Sequence, residues 1–187
     1  MKKLLILVLL SVLSINLQAQ DKQKDKGEKP EKETVEFIVD STSVLTLDKT
    51  IETLYNVISG EKDEERNWKQ FKFLFSSDAK LIASGKDKEG HLKVVYMSPG
   101  DYIKSSGKWL VENGFIEKEI HRNVDVFGNI AQVFSTYECF KSKTDPAPFM
   151  RGINSIQLLN DGERWWIVNV FWSQETDKHP IPARYLN

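Results

Sequence analysis

Apolar residues recur at helical spacing in the first half of this chain and at alternating spacing in the second. Ile51, Leu54, Tyr55 and Ile58 stand at i, i+3, i+4 and i+7 and predict a helix from about Asp48 to Ser59, with Gly60 placed to end it. Trp68, Phe71, Leu74 and Phe75 line one side of a second helix over about 64–75. A hairpin over 79–84 and 92–97 follows. Ser98-Pro99 then supplies a cap and a first-turn proline for a third helix, which runs to about Glu112 and stops at Asn113-Gly114. Four long strands are expected at about 115–127, 130–141, 149–160 and 163–173. Gly128-Asn129, a loop from Thr144 to Pro148, and Asn160-Asp161-Gly162 separate them. Helices first and antiparallel strands afterwards is the order of an α+β domain, with the sheet curling around the helices.

The N-terminus follows a different pattern. Lys2 and Lys3 precede an apolar run from Leu4 to Leu13, broken only by Ser11, and the segment ends in Leu17-Gln18-Ala19. That is the layout of a cleavable signal peptide over residues 1–19, too short to span a membrane. Periplasmic or secreted localisation is therefore expected, with no membrane attachment after cleavage. Residues 20–33 hold five Lys and five acidic side chains and nothing apolar, which reads as a solvated, disordered tether. Val35, Phe37 and Val39 alternate in an extended lead-in, so the tether and lead-in together cover 20–43. The domain is placed at 44–187.

Charge and cysteine content narrow the partners. The formal net charge of −1 becomes −3 once Lys2 and Lys3 leave, giving no field for nucleic acid. Cys139 is the single cysteine, so no intramolecular disulfide forms and packing alone must hold the domain.

Strand alternation sets the faces. With Gly128-Asn129 as a two-residue turn, Val126 opposes Ala131, Val124 opposes Val133, Arg122 opposes Ser135, Ile120 opposes Tyr137, and Lys118 opposes Cys139. The other face then holds His121, Glu119 and Glu138. A turn at Asp161-Gly162 opposes Asn154 to Asn169 and Ile156 to Ile167. Both faces carry large apolar groups, so one is expected against the helices and the other against a second subunit, as a homodimer.

On this register Arg122, Ser135, Tyr137, Asn154 and Asn169 project from an otherwise apolar face. A few polar groups converging on an apolar concavity suit a small ligand, and Arg122 suits an anion. An internal network that satisfies itself accounts for the same residues equally well. His121 with Glu119 and Glu138 has acid–base residue types, but alternation puts them on the solvated face. Asp78, Asp101 and Tyr102 are the helical-half candidates for reaching inward. No cluster has metal-ligand spacing, no glycine-rich phosphate loop is present, and neither metal nor cofactor is expected.

The stretches IETLYNVISG and NWKQFKFLFSSDAKLI, then GFIEKEIHRNVDVFGNIAQVFSTYE, RGINSIQLLNDGERWWIVNVFW and the ending IPARYL, resemble the nuclear-transport-factor-2-like superfamily across about residues 44–186, and within it the SnoaL-like proteins. The resemblance implies a cone-shaped, cystatin-like α+β domain, with N-terminal helices in the concave side of a curved antiparallel sheet, an interior pocket and frequent dimerisation through the sheet. The superfamily holds isomerases, dehydratases, cyclases and epoxide hydrolases beside non-catalytic binders. Its members resembling ketosteroid isomerase place an acidic or histidine base in the pocket, and no such residue is identified here on the pocket face of the last four strands. The expected function is therefore an exported small-molecule-binding domain. The alternatives are a cofactor-independent lyase or isomerase, and a structural or protein-interaction domain.

Overall fold

The computed structural model describes residues 36–186. The expected signal peptide (1–19), the charged run 20–33 and the start of the lead-in lie outside the described residues. Residues 36–40 have no regular structure, and Ser41–Val44 form a 3-10 turn capped by the Asp40 side chain, which accepts from Thr42 N. The Asp40 N–H donates to Gln70 Oε1 at 2.6 Å and Asn67 Nδ2 donates to Ile38 O at 2.9 Å, which ties the lead-in to the helices.

Helix α1, Leu47–Ile58, is capped by Thr46 and buries Ile51, Leu54, Tyr55 and Ile58, the face its periodicity predicts. Helix α2 is only Trp68–Phe73, capped by Asn67. The expected helical start at 64 is instead a loop, with Asp63 at φ 64. Arg66, 2% exposed, holds that loop by donating to Ile58 O at 3.1 Å, Gly60 O at 2.7 Å and Leu110 O at 3.1 Å. Strands β1, Phe75–Lys86, and β2, Leu92–Met97, follow. The predicted third helix spans Pro99 to Asn113 in three pieces: α3 (Pro99–Tyr102), a π turn (Ile103–Gly107) and α4 (Lys108–Asn113). The remaining strands are β3 (Ile116–Phe127), β4 (Ile130–Phe140), β5 (Met150–Asn160) and β6 (Trp165–Gln174).

The six strands form one sheet in the order β2-β1-β6-β5-β4-β3. It is mixed, not wholly antiparallel: β1 runs parallel to β6, which the helices between β2 and β3 make possible by separating the two hairpin groups in sequence. Phe71 and Leu74 are buried from the helical side against Val133, Ile156, Leu158 and Ile167 of the sheet. The opposite face is partly covered by the chain's own C-terminal segment. Thr136 Oγ1 donates to Tyr185 O at 2.7 Å, and the Phe134 and Tyr185 rings lie 5.0 Å apart. Among the described residues no helix is long and apolar enough to cross a membrane.

Two β-bulges overturn the expected registers. From the turn to His121 the β3–β4 pairing is as predicted, with Val124 opposite Val133 and Arg122 opposite Ser135. The register then shifts between Glu119 and His121, so Glu119 opposes Tyr137 and Glu117 opposes Cys139. An extra residue on one strand reverses the facing of everything beyond it; Ile120 turns outward and both glutamates turn inward. In the last hairpin Asn160 pairs with Trp165, and a second shift lies between Gln157 and Leu158. Asn154 therefore opposes Trp172, while Asn169 opposes Gln157 on the outer face.

Candidate functional site

The sheet and helices enclose a cavity of about 220 Å³, lined by Tyr55 from α1, Tyr102 from α3, Trp109 from α4, and Glu117, Tyr137, Asn154 and Trp172 from the sheet, with aliphatic side chains completing the wall. The helix that closes it bends through the π turn, a device that recurs at functional sites because it re-aims side chains without ending the helix. Tyr102 stacks on Phe71 at 5.4 Å and meets Trp172 edge-on at 6.5 Å. Trp109, 45% exposed, stands at the rim.

Among the described residues Glu117 is the one carboxylate lining this cavity. Its Oε1 accepts from Asn154 Nδ2 at 3.0 Å; its Oε2 takes no hydrogen bond from the described residues. Burial in an apolar wall disfavours the charged form and pushes the Glu117 carboxyl up to about 7, the Asn154 hydrogen bond opposing that rise.

The phenols around it stay protonated. Burial, then the charge of Glu117, raises Tyr55, Tyr102 and Tyr137. The Tyr55 hydroxyl contacts Ser135 Oγ at 2.7 Å and accepts from Asn154 Nδ2 at 3.0 Å. Tyr102 and Tyr137 make no hydroxyl hydrogen bond to the described residues. Tyr137 lies over Gly152, where a Cβ would come within 2.4 Å of its hydroxyl and 2.5 Å of Ser173 O. Gly152→Ala is therefore expected to displace Tyr137 and to cost about 1–3 kcal/mol by overpacking. Urea unfolding checks this, and wild-type stability would contradict the close approach.

Of the residues singled out in the sequence, Tyr137 and Asn154 line the cavity and Ser135 sits one hydrogen bond behind it. Arg122 does not reach it. Its guanidinium is taken by Glu119 Oε2, at 2.6 Å from Nη2, and by Asp48 Oδ1, at 2.9 Å from Nη1. Among the described residues no Lys, Arg or His lines the cavity, so the expected anionic ligand has no partner from them there. Asn169 is on the outer face, displaced by the bulge beside it. His121 and Glu138 also face outward, whereas Glu119 faces inward. Asp78 is exposed, and Asp101 caps α3 in a reciprocal box with Ser98. At the β1–β2 turn, Asp87, Glu89 and His91 bring ligand atoms within 4.8 Å of one another, a grouping that sequence spacing did not suggest. Asp87 Oδ1 is engaged there by the backbone N–H groups of Glu89 and His91.

Glu117 is the residue that alternation missed. Ile120 opposite Tyr137, and Lys118 opposite Cys139, marked the parity of Ile120 and Lys118 as inward. The bulge makes it the outward one.

No protein-family model matches the sequence, and no curated protein matches it. Solved structures do resemble it. A protein of unknown function with a cystatin-like fold from Nostoc punctiforme superposes with a TM-score of 0.54 at 9% identity, over 75% of this chain and 97% of that one. A provisionally assigned scytalone dehydratase from Novosphingobium aromaticivorans gives a TM-score of 0.52 at 12% identity, over 70% and 82%. The beta subunit of a provisionally assigned aromatic-ring-hydroxylating dioxygenase from that organism gives 0.53 at 14%, over 70% and 87%. At such identities the likeness establishes the fold alone. The chain has a cystatin-like α+β fold.

Proposed function

We propose that this chain is an exported domain that binds a small, neutral, largely apolar carbonyl compound in its cavity and moves a proton on it, as a cofactor-independent isomerase or lyase. Glu117 carries the reading. A carboxyl with a value of about 7 is present in both forms at neutral pH, which suits a group that takes a proton and returns it. Its unpartnered Oε2 is the atom for that exchange. Tyr102 and Tyr137 keep their hydrogens and have no acceptor among the described residues, so they supply donors for an oxygen on which negative charge develops.

Size and polarity limit the ligand. At interior packing density a 220 Å³ cavity holds roughly 160 Å³ of molecular volume. A cavity of about 150 Å³ takes one benzene ring, so a substituted monocycle fits within the walls and a four-ring skeleton does not. Aromatic walls favour a flat ring, and the lack of a lining cation disfavours an anion. One fold neighbour carries a dehydratase assignment, a reaction of the same acid–base class.

The test is deuterium incorporation at the α carbon of monocyclic ketones in heavy water, followed by proton NMR. Wild type is expected to catalyse exchange, and Glu117→Gln to lose it by about 100-fold or more. A wild type that binds such ketones and leaves their α hydrogens in place would reduce the cavity to a binding site.

A further inference from the structure

Glu119 shares the inward face of β3 with Glu117 but does not line the cavity, and the proposed proton transfer gives it no part. Its bonding assigns one. Arg122 holds Glu119 Oε2 through Nε at 2.9 Å and Nη2 at 2.6 Å. A carboxylate paired in this way only accepts, so the Ser135 hydroxyl bonded to Glu119 Oε1 is the donor. Ser135 has one hydroxyl hydrogen. Its 2.7 Å contact with Tyr55 therefore has Tyr55 donating. The Tyr55 hydrogen is then spent as well, and its oxygen accepts from Asn154 Nδ2 at 3.0 Å. The second hydrogen on that nitrogen goes to Glu117 Oε1 at 3.0 Å. Each hydrogen between the two glutamates has its direction set by the Arg122–Glu119 pair.

We propose that Glu119 and Arg122 are positioning residues that act through Ser135 and Tyr55 to hold the Asn154 amide with its N–H toward Glu117. This rests on Glu117 being the proton carrier. Turning the amide over would place Asn154 Oδ1 against the Tyr55 oxygen, two acceptors facing each other. It would also place that Oδ1 beside the Glu117 carboxylate. With the relay intact, Tyr55 has no hydrogen with which to accommodate that orientation. With the relay cut, Tyr55 no longer prevents the flip. Asn154 Oδ1 then becomes an acceptor for protonated Glu117, and the proton is held more tightly.

The titratable groups facing Glu117 are Tyr55 from α1, Tyr102 from α3, and Tyr137 and Cys139 from β4. Burial raises all four, so they keep their protons. Glu119, on the same strand, is left in place by either variant below, so no charge is added or removed.

The test is the carbon-13 titration of the Glu117 carboxyl in wild type, Ser135→Ala and Tyr55→Phe, its resonance assigned by its loss in Glu117→Gln. Both relay variants are expected to raise the midpoint by about one pH unit, a tenfold gain in proton affinity. A structural role for Ser135 and Tyr55 would lower stability and leave the midpoint unmoved. If Ser135→Ala does not fold, Tyr55→Phe decides. A wild-type midpoint near 7 with an unmoved or lowered midpoint in the variants overturns the relay alone. A wild-type midpoint in the ordinary carboxylate range overturns the proton-carrier reading and the relay with it.

Discussion

Glu117→Gln is expected to make the domain more stable at pH 8 while abolishing proton exchange. The carboxyl lies at about 7 in the folded chain against an ordinary 4.5, so the folded state binds the proton more tightly than the unfolded one. The resulting stability is present in full below about pH 4.5 and is lost as pH rises through about 7. The difference corresponds to about 3 kcal/mol, and glutamine, neutral at every pH, does not incur it. At pH 8 the variant should melt roughly 6–12 °C above wild type, given about 2–4 °C per kcal/mol for a chain of this size. At pH 4.5 the two should nearly coincide. A residue whose removal stabilises the fold is retained for something other than the fold. Thermal unfolding of both proteins across that range checks the sign, and a variant less stable at pH 8 would contradict it.

Arg66→Ala is expected to have the largest effect in the other direction. The side chain is buried away from the cavity and donates to four main-chain carbonyls, those of Ile58, Gly60, Glu64 and Leu110. These join the end of α1, the loop after it and α4. Alanine would remove these bonds at about 1–3 kcal/mol for each carbonyl left without a partner, although that of Gly60 would still accept from Phe115 N at 3.0 Å. Partial access of water should bring the total to about 4 kcal/mol, read as a fall in the urea midpoint. Arg66→Lys keeps the charge but not the planar fork that reaches several acceptors, so it should lie between the two. A loss below about 1 kcal/mol in the alanine variant, within the range of an ordinary surface change, would show that the loop does not depend on this residue.

The helices and the ends of the strands were legible in the sequence because hydrophobic periodicity reports burial directly. Ile51, Leu54, Tyr55 and Ile58 are buried together, as their spacing required. Arg66 was hidden because it falls within a stretch that continues helical periodicity back from Trp68; the loop that replaces the helix is held by tertiary bonds that no local pattern records. The sheet faces were legible only as far as the first irregularity. Val124, Arg122 and Ser135 lie where alternation put them, but alternation carries no mark for an inserted residue. Ile120 and Val168, both apolar and both at register shifts, read equally well on either face. Past those points the facing reversed on β3 and β6, while Tyr137 and Asn154 on the partner strands kept theirs. Glu119 was read as solvent-facing, Glu117 was not singled out at all, and Asn169 was read as pocket-lining. The β3 bulge therefore turns the two carboxylates to the inner face of the sheet. Bulges next to active sites, where they re-aim a side chain, are a recurring use of this device.

The central claim is that Glu117 holds a proton at pH values where ordinary carboxyls have lost theirs. The infrared difference spectrum of wild type minus Glu117→Gln, recorded from about pH 5 to pH 9, tests it most directly. A protonated-carboxyl band is expected at about pH 6, fading through about pH 7 as the carboxylate band grows. A difference spectrum that shows only carboxylate at pH 6 would contradict it.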